Sequence, residues 1–361
     1  MSLAETRSSP RPLWTNEPFA QGCARGGPSA ARSVSVSVIT EPPALVPLEA
    51  LRAAARALDG VAVRTPLVDL PSLSRRLGLP IAVKCEQLQP AGAFKIRGAY
   101  YALARVIAAG RATGVVTHSS GNHGQAVAYA ARAFGIRAVV VMPGSAPRVK
   151  VEGVRGYGGE VVFAGATRSA EQGERAEALA RSEHLQLIPP YDHPDVIAGQ
   201  GTCGLEILEQ CAEVSTILVP VGGGGLLAGI AAAVSALAPS LRLIGVEPAR
   251  IPKLSAALAA GRPRSVSPAE SVADGLLARA IGDLTFQILR GVVREAVAVT
   301  DDAIVAAVRL LYREAGFVVE PSGAAAVAAL LTGGVPATGP TVAVLTGGNV
   351  DPDFHSRLVA E

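Results

Sequence analysis

The chain has 361 residues and a formal net charge of +3. Hydrophobic residues make up 49%, charged residues 17% and aromatic residues 4%, which excludes a disordered chain and gives no basis for nucleic-acid binding. The length suits two domains of roughly 150 residues each.

Residues 1–46 are rich in Ser, Pro and Gly and show no helical apolar period, which reads as a flexible extension. No long apolar run follows a basic start, so a secretory signal is not expected, and Glu5, Glu17 and Glu41 argue against a transit peptide. Within it Ser33–Thr40 alternates and is a candidate edge strand. From residue 47 onward, short β-branched runs alternate with Ala-rich stretches. Ile81–Lys84, Val115–Thr117, Ala138–Met142, Val161–Phe163, Thr216–Val221, Leu243–Val246 and Val342–Leu345 predict strands covered on both faces. Asp301–Ala315 is the clearest helix, with Thr300 as N-cap, two acids in its first turn and Gly316 after its end. The alternation predicts an α/β fold with mostly parallel sheets.

The 28 residues Val214–Leu241 carry no charge, but Pro220 and Gly222–Gly225 sit among them. A strand, a glycine loop and a helix account for the run better than a membrane span. Cys23, Cys85, Cys203 and Cys211 lack CxxC spacing and the five histidines form no HExxH pattern. Neither a disulfide scaffold nor a structural zinc site is expected.

Four segments carry candidate chemistry. Val219–Ile230 (VPVGGGGLLAGI) places four glycines between a strand and a helix, a cradle for an anion such as phosphate. A tight strand–helix turn is the plain alternative. A dinucleotide fingerprint, and with it a nicotinamide-dependent oxidoreductase, is the sharper one, because Gly223, Gly225 and Ala228 fit GxGxxA and Glu247 follows about 20 residues later. In Gly92–Ala99 (GAFKIRGA), Lys95 follows an aromatic residue at a helix start. Lysine is scarce in this chain: of 33 basic residues only Lys84, Lys95, Lys150 and Lys253 carry an amine. The setting makes Lys95 a candidate imine former and the scarcity strengthens it, with an ordinary surface lysine as the plain alternative. Thr117–Gln125 (THSSGNHGQ) offers hydroxyl and N–H donors to a carboxylate, or caps the next helix through Ser120 or Asn122. Val344–Asp351 (VLTGGNVD) puts Thr346 at the carboxyl end of a strand, where ligands sit in open α/β sheets.

Together and in this order, these segments resemble the fold-type II pyridoxal-phosphate enzymes, and more narrowly the serine racemase and threonine/serine dehydratase family. The resemblance runs from about Val46 to the C-terminus. VVTHSSGNHGQAVAYAA at 115–131 and IAGQGT at 197–202 are its closest stretches. It implies a tryptophan-synthase-β-like pair of α/β domains, a large one from 47–111 and 190–361 and a small one at 112–189. It implies pyridoxal 5'-phosphate held by Lys95 through an imine, Phe94 packed on its ring and Asn122 bonded to its 3-oxygen. Gly222, Gly223, Gly224 and Gly225 would bind the phosphate, and Thr346 would sit at the ring nitrogen. Ser119, Asn122 and His123 would hold the substrate carboxylate, with Arg168 near the site. The implied reaction is β-elimination of threonine or serine to a 2-keto acid and ammonia. Ser120, facing Cα from the side opposite Lys95, would permit serine racemisation as the alternative. The resemblance implies a homodimer acting on a small amino acid; the lack of targeting signals and disulfide spacing gives a cytoplasmic expectation, and composition gives no nucleic-acid or membrane partner.

The departures are local. Ala93 replaces a serine near the lysine. Pro90 stands where racemase-like members have a lysine near nucleotide, and Ala278 where they have a serine near substrate. Those members bind a divalent cation through a glutamate, a carbonyl and an aspartate. Glu247 and Ile251 match the first two positions, but Lys253 stands at the third, so no dedicated metal site is expected. A C-terminal regulatory domain is not expected either.

Overall fold

The computed structural model describes residues 45–110, 113–119, 121–166, 170–335 and 338–360. The candidate strand at Ser33–Thr40 and nearly all of the 1–46 extension lie outside them, as do Ser120 and Arg168. Ten strands appear: β1 Leu67–Asp69, β2 Ile81–Cys85, β3 Gly114–His118, β4 Arg137–Met142, β5 Glu160–Phe163, β6 Gln186–Leu187, β7 Thr216–Pro220, β8 Arg242–Pro248, β9 Glu295–Val299 and β10 Thr341–Leu345. The helices are α1 Leu48–Ala57, α2 Pro71–Leu77, α3 Lys95–Ala108, α4 Asn122–Phe134, α5 Arg148–Gly156, α6 Glu171–Ser182, α7 Pro194–Gln210, α8 Gly225–Leu237, α9 Lys253–Ala260, α10 Asp283–Leu289, α11 Asp301–Ala315, α12 Pro321–Leu331 and α13 Pro352–Ala360.

The strands form two sheets. The larger runs β1-β2-β10-β7-β8-β9 and is parallel except for β1 against β2; the smaller runs β5-β4-β3-β6 and is parallel throughout. This is the two-domain α/β architecture of the tryptophan-synthase-β-like fold. Its sequence cause is visible in the larger sheet. Ile217, Val219, Val342 and Val344 pack with α1, α7, α8 and α10 on one face. Leu218, Ala343 and Leu345 pack with α2, α11 and α12 on the other. A side-chain period of two therefore buries every residue of a central strand, and the sequence reads as a continuous apolar run.

All seven expected strands are present, with ends shifted by one or two residues, but β5 lies at a sheet edge with no fully buried residue and is not covered on both faces. The three without a sequence signal, β1, β6 and β9, are all edge strands. An edge strand needs only one partner and little burial: β1 and β6 contain no fully buried residue and β9 only one. At α11, Thr300 caps as expected by accepting the N–H of Ala303 at 3.3 Å.

Helices α3, α7 and α8 approach at backbone distance. A Cβ on Gly199 would lie 2.5 Å from the Arg97 carbonyl, and one on Gly229 would collide with the Gly201 nitrogen. The IAGQGT stretch is thus a packing seam. A buried charge cluster ties α3 and α7 to the end of β2. The Arg97 guanidinium donates to both oxygens of Glu86 (2.7 and 2.8 Å) and both of Glu206 (2.7 and 2.8 Å). Lys84 Nζ donates to Glu206 at 2.6 Å, to Gln210 at 2.9 Å and to the Thr65 carbonyl at 2.6 Å. Burial alone would raise the Glu86 carboxyl, but Arg97 overrides it and holds that group below its usual value.

Candidate active site

Four connections leave the carboxyl ends of parallel strands and meet at one cavity. After β2 the chain turns through Ala93 and Phe94 into α3, whose first residue is Lys95. After β3 it passes Ser119 into α4 at Asn122. After β7 it forms the glycine loop ahead of α8. After β10 it turns at Thr346 and Gly347. Phe94, Lys95, Ser119, Asn122, His123, Gly222–Gly225 and Thr346 all line this cavity of about 240 Å³. A topological crevice at strand ends is where open α/β folds place ligands.

Backbone pairing fixes the lysine turn. The Phe94 N–H donates to the Thr346 carbonyl at 3.1 Å, the Gly348 N–H to the Gly92 carbonyl at 2.9 Å, and Ala93 bridges Gly347. Lys95 Nζ donates to the Pro190 carbonyl at 2.7 Å and lies 5.1 Å from the centre of the Phe94 ring.

The glycine loop is closely walled. A Cβ on Gly223 would overlap the Tyr191 ring, and Gly224 adopts φ +93°, so side chains are excluded at both. Among the described residues, the amides of Gly222–Gly225 donate to no acceptor within the protein. They open a helix whose first-turn N–H groups have no intrahelical partner.

Asn122 is not a cap. It is the first residue inside α4, behind Gly121, and its amide is held from both sides. Asn349 Nδ2 donates to Asn122 Oδ1 at 3.0 Å, which leaves Asn122 Nδ2 to donate to Glu320 at 2.5 Å. His123 turns away from solvent, with Nε2 3.2 Å from the Ile188 carbonyl. Burial first, and the Lys95 charge second, push its imidazole down to about 3, so it is neutral at ordinary pH.

Three charged residues without a sequence assignment join the site. Lys150 from α5 reaches the cavity wall, 2.6 Å from Asp274 and 3.3 Å from Glu320. Burial raises the Glu320 carboxyl, Lys150 opposes that, and Asp274 adds to it. Lysine scarcity marked Lys150 as one of four amines, but nothing in its neighbours placed it here. Asp274 and Glu320 are lone acids in largely apolar stretches, the signal that could have found them.

The dinucleotide alternative loses its acid. Glu247 is fully buried at the end of β8 and accepts from the N–H of Leu254 (2.7 Å), the N–H of Ser255 (2.9 Å) and the Ser255 hydroxyl (2.6 Å). It caps α9 and is spent there. Among the described residues no helix is long and apolar enough to cross a membrane.

A two-domain α/β fold with a lysine, a glycine loop and a strand-end threonine around one cavity defines a class, and residues 58–347 match the family model described as pyridoxal-phosphate dependent enzyme. The chain belongs to this family and uses pyridoxal phosphate. It is 44% identical over 270 residues to the biosynthetic L-threonine dehydratase of Pasteurella multocida, covering 75% of this chain and 52% of that protein. The chain thus spans about half the length of that relative. Among solved structures it is similar to the T.th. threonine deaminase, with 41% identity, TM-score 0.80 and coverage of 84% and 99% of the two chains. Maize serine racemase matches at 36% identity, TM-score 0.83, over 87% and 96%.

The donor set fits the cofactor. A phosphate needs converging N–H groups with no side chain in the way, which the glycine loop and the start of α8 provide. An aldehyde needs a desolvated amine, and Lys95 is half-buried within the same cavity. A flat ring needs an apolar wall and polar edges, for which Phe94, Asn122 and Thr346 are at hand.

Proposed function

We propose that this chain is a threonine/serine ammonia-lyase, converting the β-hydroxy amino acid to a 2-keto acid and ammonia. The observation that carries the reading is the single cavity that gathers Lys95, the glycine loop and the start of α4. Identity of 41–44% to a threonine deaminase and a threonine dehydratase supports the substrate class.

In this reading Gly222–Gly225 hold the phosphate, Lys95 the aldehyde carbon, Asn122 the 3-oxygen and Thr346 the ring nitrogen, with Phe94 against the ring. The bound cofactor supplies an electron sink next to the substrate Cα. Once the substrate amine has taken its place, the freed Lys95 amine would remove the Cα proton as general base. Ser119 and the N–H groups at the start of α4 orient the substrate carboxylate, with Arg168 as a further candidate for that role. The neutral His123 ring fixes α4 against Ile188 and takes no proton. Lys150, Asp274 and Glu320 set the charge at the cavity wall and keep the Asn122 amide in register. The large domain comprises 47–111 and 190–361 and the small one 112–189, a division supported by the β3–β6 sheet lying within 114–187. The enzyme acts as a cytoplasmic homodimer on a free amino acid, with no nucleic-acid partner.

Likeness to maize serine racemase favours a second reading, racemisation through Ser120 as the opposing base. One assay separates the two. The purified, yellow protein is incubated with L-threonine or L-serine, and keto acid, ammonia and D-amino acid are followed together. Keto acid in large excess is the expected result. D-Serine formed faster than pyruvate would replace the lyase with the racemase.

A further inference from the structure

Lys253 opens α9 with a side chain that is completely enclosed. An ammonium has three donors. Among the described residues one acceptor is in hydrogen-bond reach, the Leu276 carbonyl at 2.9 Å. The Glu247 carboxylate supplies the opposing charge, but its hydrogen bonds come from Leu254 and Ser255, and no direct ion pair joins it to Lys253. A buried cation so thinly paired is costly to a fold, which asks what it holds.

It holds the turn Asp274–Leu276. This turn is one wall of the cavity. Asp274 receives Lys150 at 2.6 Å, the Gly275 N–H donates to Ser322 Oγ at 2.8 Å, and the Gly275 carbonyl lies 3.1 Å from where a Gly222 Cβ would stand. Lys253 grips the back of the turn, and the glycine loop and Lys150 meet its front.

The residues present do not fit the divalent cation of racemase-like relatives. An ammonium occupies the third position. Glu247 is engaged by three donors, and the Ile251 carbonyl accepts the N–H of Lys253 itself at 2.9 Å. Among the described residues no group of three His, Cys, Asp or Glu side chains is placed to hold a metal.

We infer that Lys253 is a tethered cation built into the chain: it takes the third ligand position of that cation site, its ammonium holds the Asp274–Leu276 turn against the glycine loop, and the enzyme is independent of added metal. Lys253 is a positioning residue and touches neither substrate nor cofactor.

The test uses the holoenzyme and three readouts. Dialysis against EDTA, then addition of Mg²⁺ or Ca²⁺, should leave the melting temperature and keto-acid formation unchanged. Loss on chelation that either ion restores would overturn the inference. In Lys253→Met, hydrogen exchange of residues 271–278 should speed up about tenfold or more, while the core strands β7 and β10 keep their protection. Unchanged exchange in that segment would also overturn it. In Lys253→Ala, turnover should fall about tenfold or more through displacement of the cavity wall, and ethylammonium should restore part of it where equal sodium chloride does not. An absence of rescue counts against the tethered cation. Should Lys253→Ala or Lys253→Met fail to fold, Lys253→Gln takes the exchange measurement with the same two outcomes. The turnover arm rests on the lyase reading, whereas the melting and exchange arms do not, so failure of one is told from failure of the other.

Discussion

Two clusters of buried charge flank Lys95, and they are built differently. Behind α3, Arg97, Glu86, Glu206 and Lys84 satisfy one another: both Glu86 oxygens and both Glu206 oxygens accept from Arg97, and Lys84 has three acceptors. In the cavity wall, Lys150, Asp274 and Glu320 do not. Glu320 Oε2 is buried and makes no hydrogen bond, although Lys150 stands 3.3 Å away. The saturated cluster is frame; the unsaturated one leaves charge free to respond when a ligand arrives. Substitution in the first cluster should therefore cost stability, and in the second activity.

The largest effect belongs to the residue between the clusters. Lys95→Ala should abolish the yellow colour and lower keto-acid formation by at least about 10³-fold, with the melting temperature of the apoenzyme nearly unchanged. Next, Arg97→Met should cost about 3–5 kcal/mol in urea unfolding, because it strands Glu86 and Glu206 without their partner. Activity per folded molecule should stay within a few-fold. Lys150→Met should invert that pattern. The Glu320 carboxyl is already held above its usual value and takes up a proton when Lys150 leaves, so the stability loss is smaller. kcat/KM should fall about 10²-fold as the Asn122 amide and the turn at Asp274 lose their anchor.

A pH series sharpens the comparison further. His123 titrates near 3 when folded and at its ordinary 6.5 when unfolded. Between those values the unfolded chain binds more protons, so stability is full above 6.5 and declines as pH falls, by up to about 1.4 kcal/mol per pH unit. His123→Gln should flatten that decline, read as the change in urea midpoint between pH 7 and pH 5. The smallest effect belongs to a site remote from both clusters. Thr300→Ala removes the cap of α11 and should cost about 1 kcal/mol with turnover unchanged.

By itself the sequence determined the interior strands, because a strand covered on both faces has no polar position to break its run. It determined the glycine loop and the lysine turn, because only glycine tolerates the approach of Tyr191 and only a rare amine stands out among arginines. Of the four edge strands it determined only β5, whose run is short but apolar; half-exposed β1, β6 and β9 carry a diluted signal. Nor did it determine where lone charges go. Glu247 reads as a strand-end acid poised for a ribose, and tertiary packing turned it onto α9. Asn122 reads as a donor to a ligand or else a cap, and Asn349, 227 positions away in the chain, turned it toward Glu320. Lys150, Asp274 and Glu320 come from three elements far apart in sequence, and Lys253 meets Leu276 across the start of α9. A hydrophobic period is a local property that each segment carries alone. The partner of a buried charge is set only when distant segments close around it, which is why the frame was legible in the chain and the cavity wall emerged only in the fold.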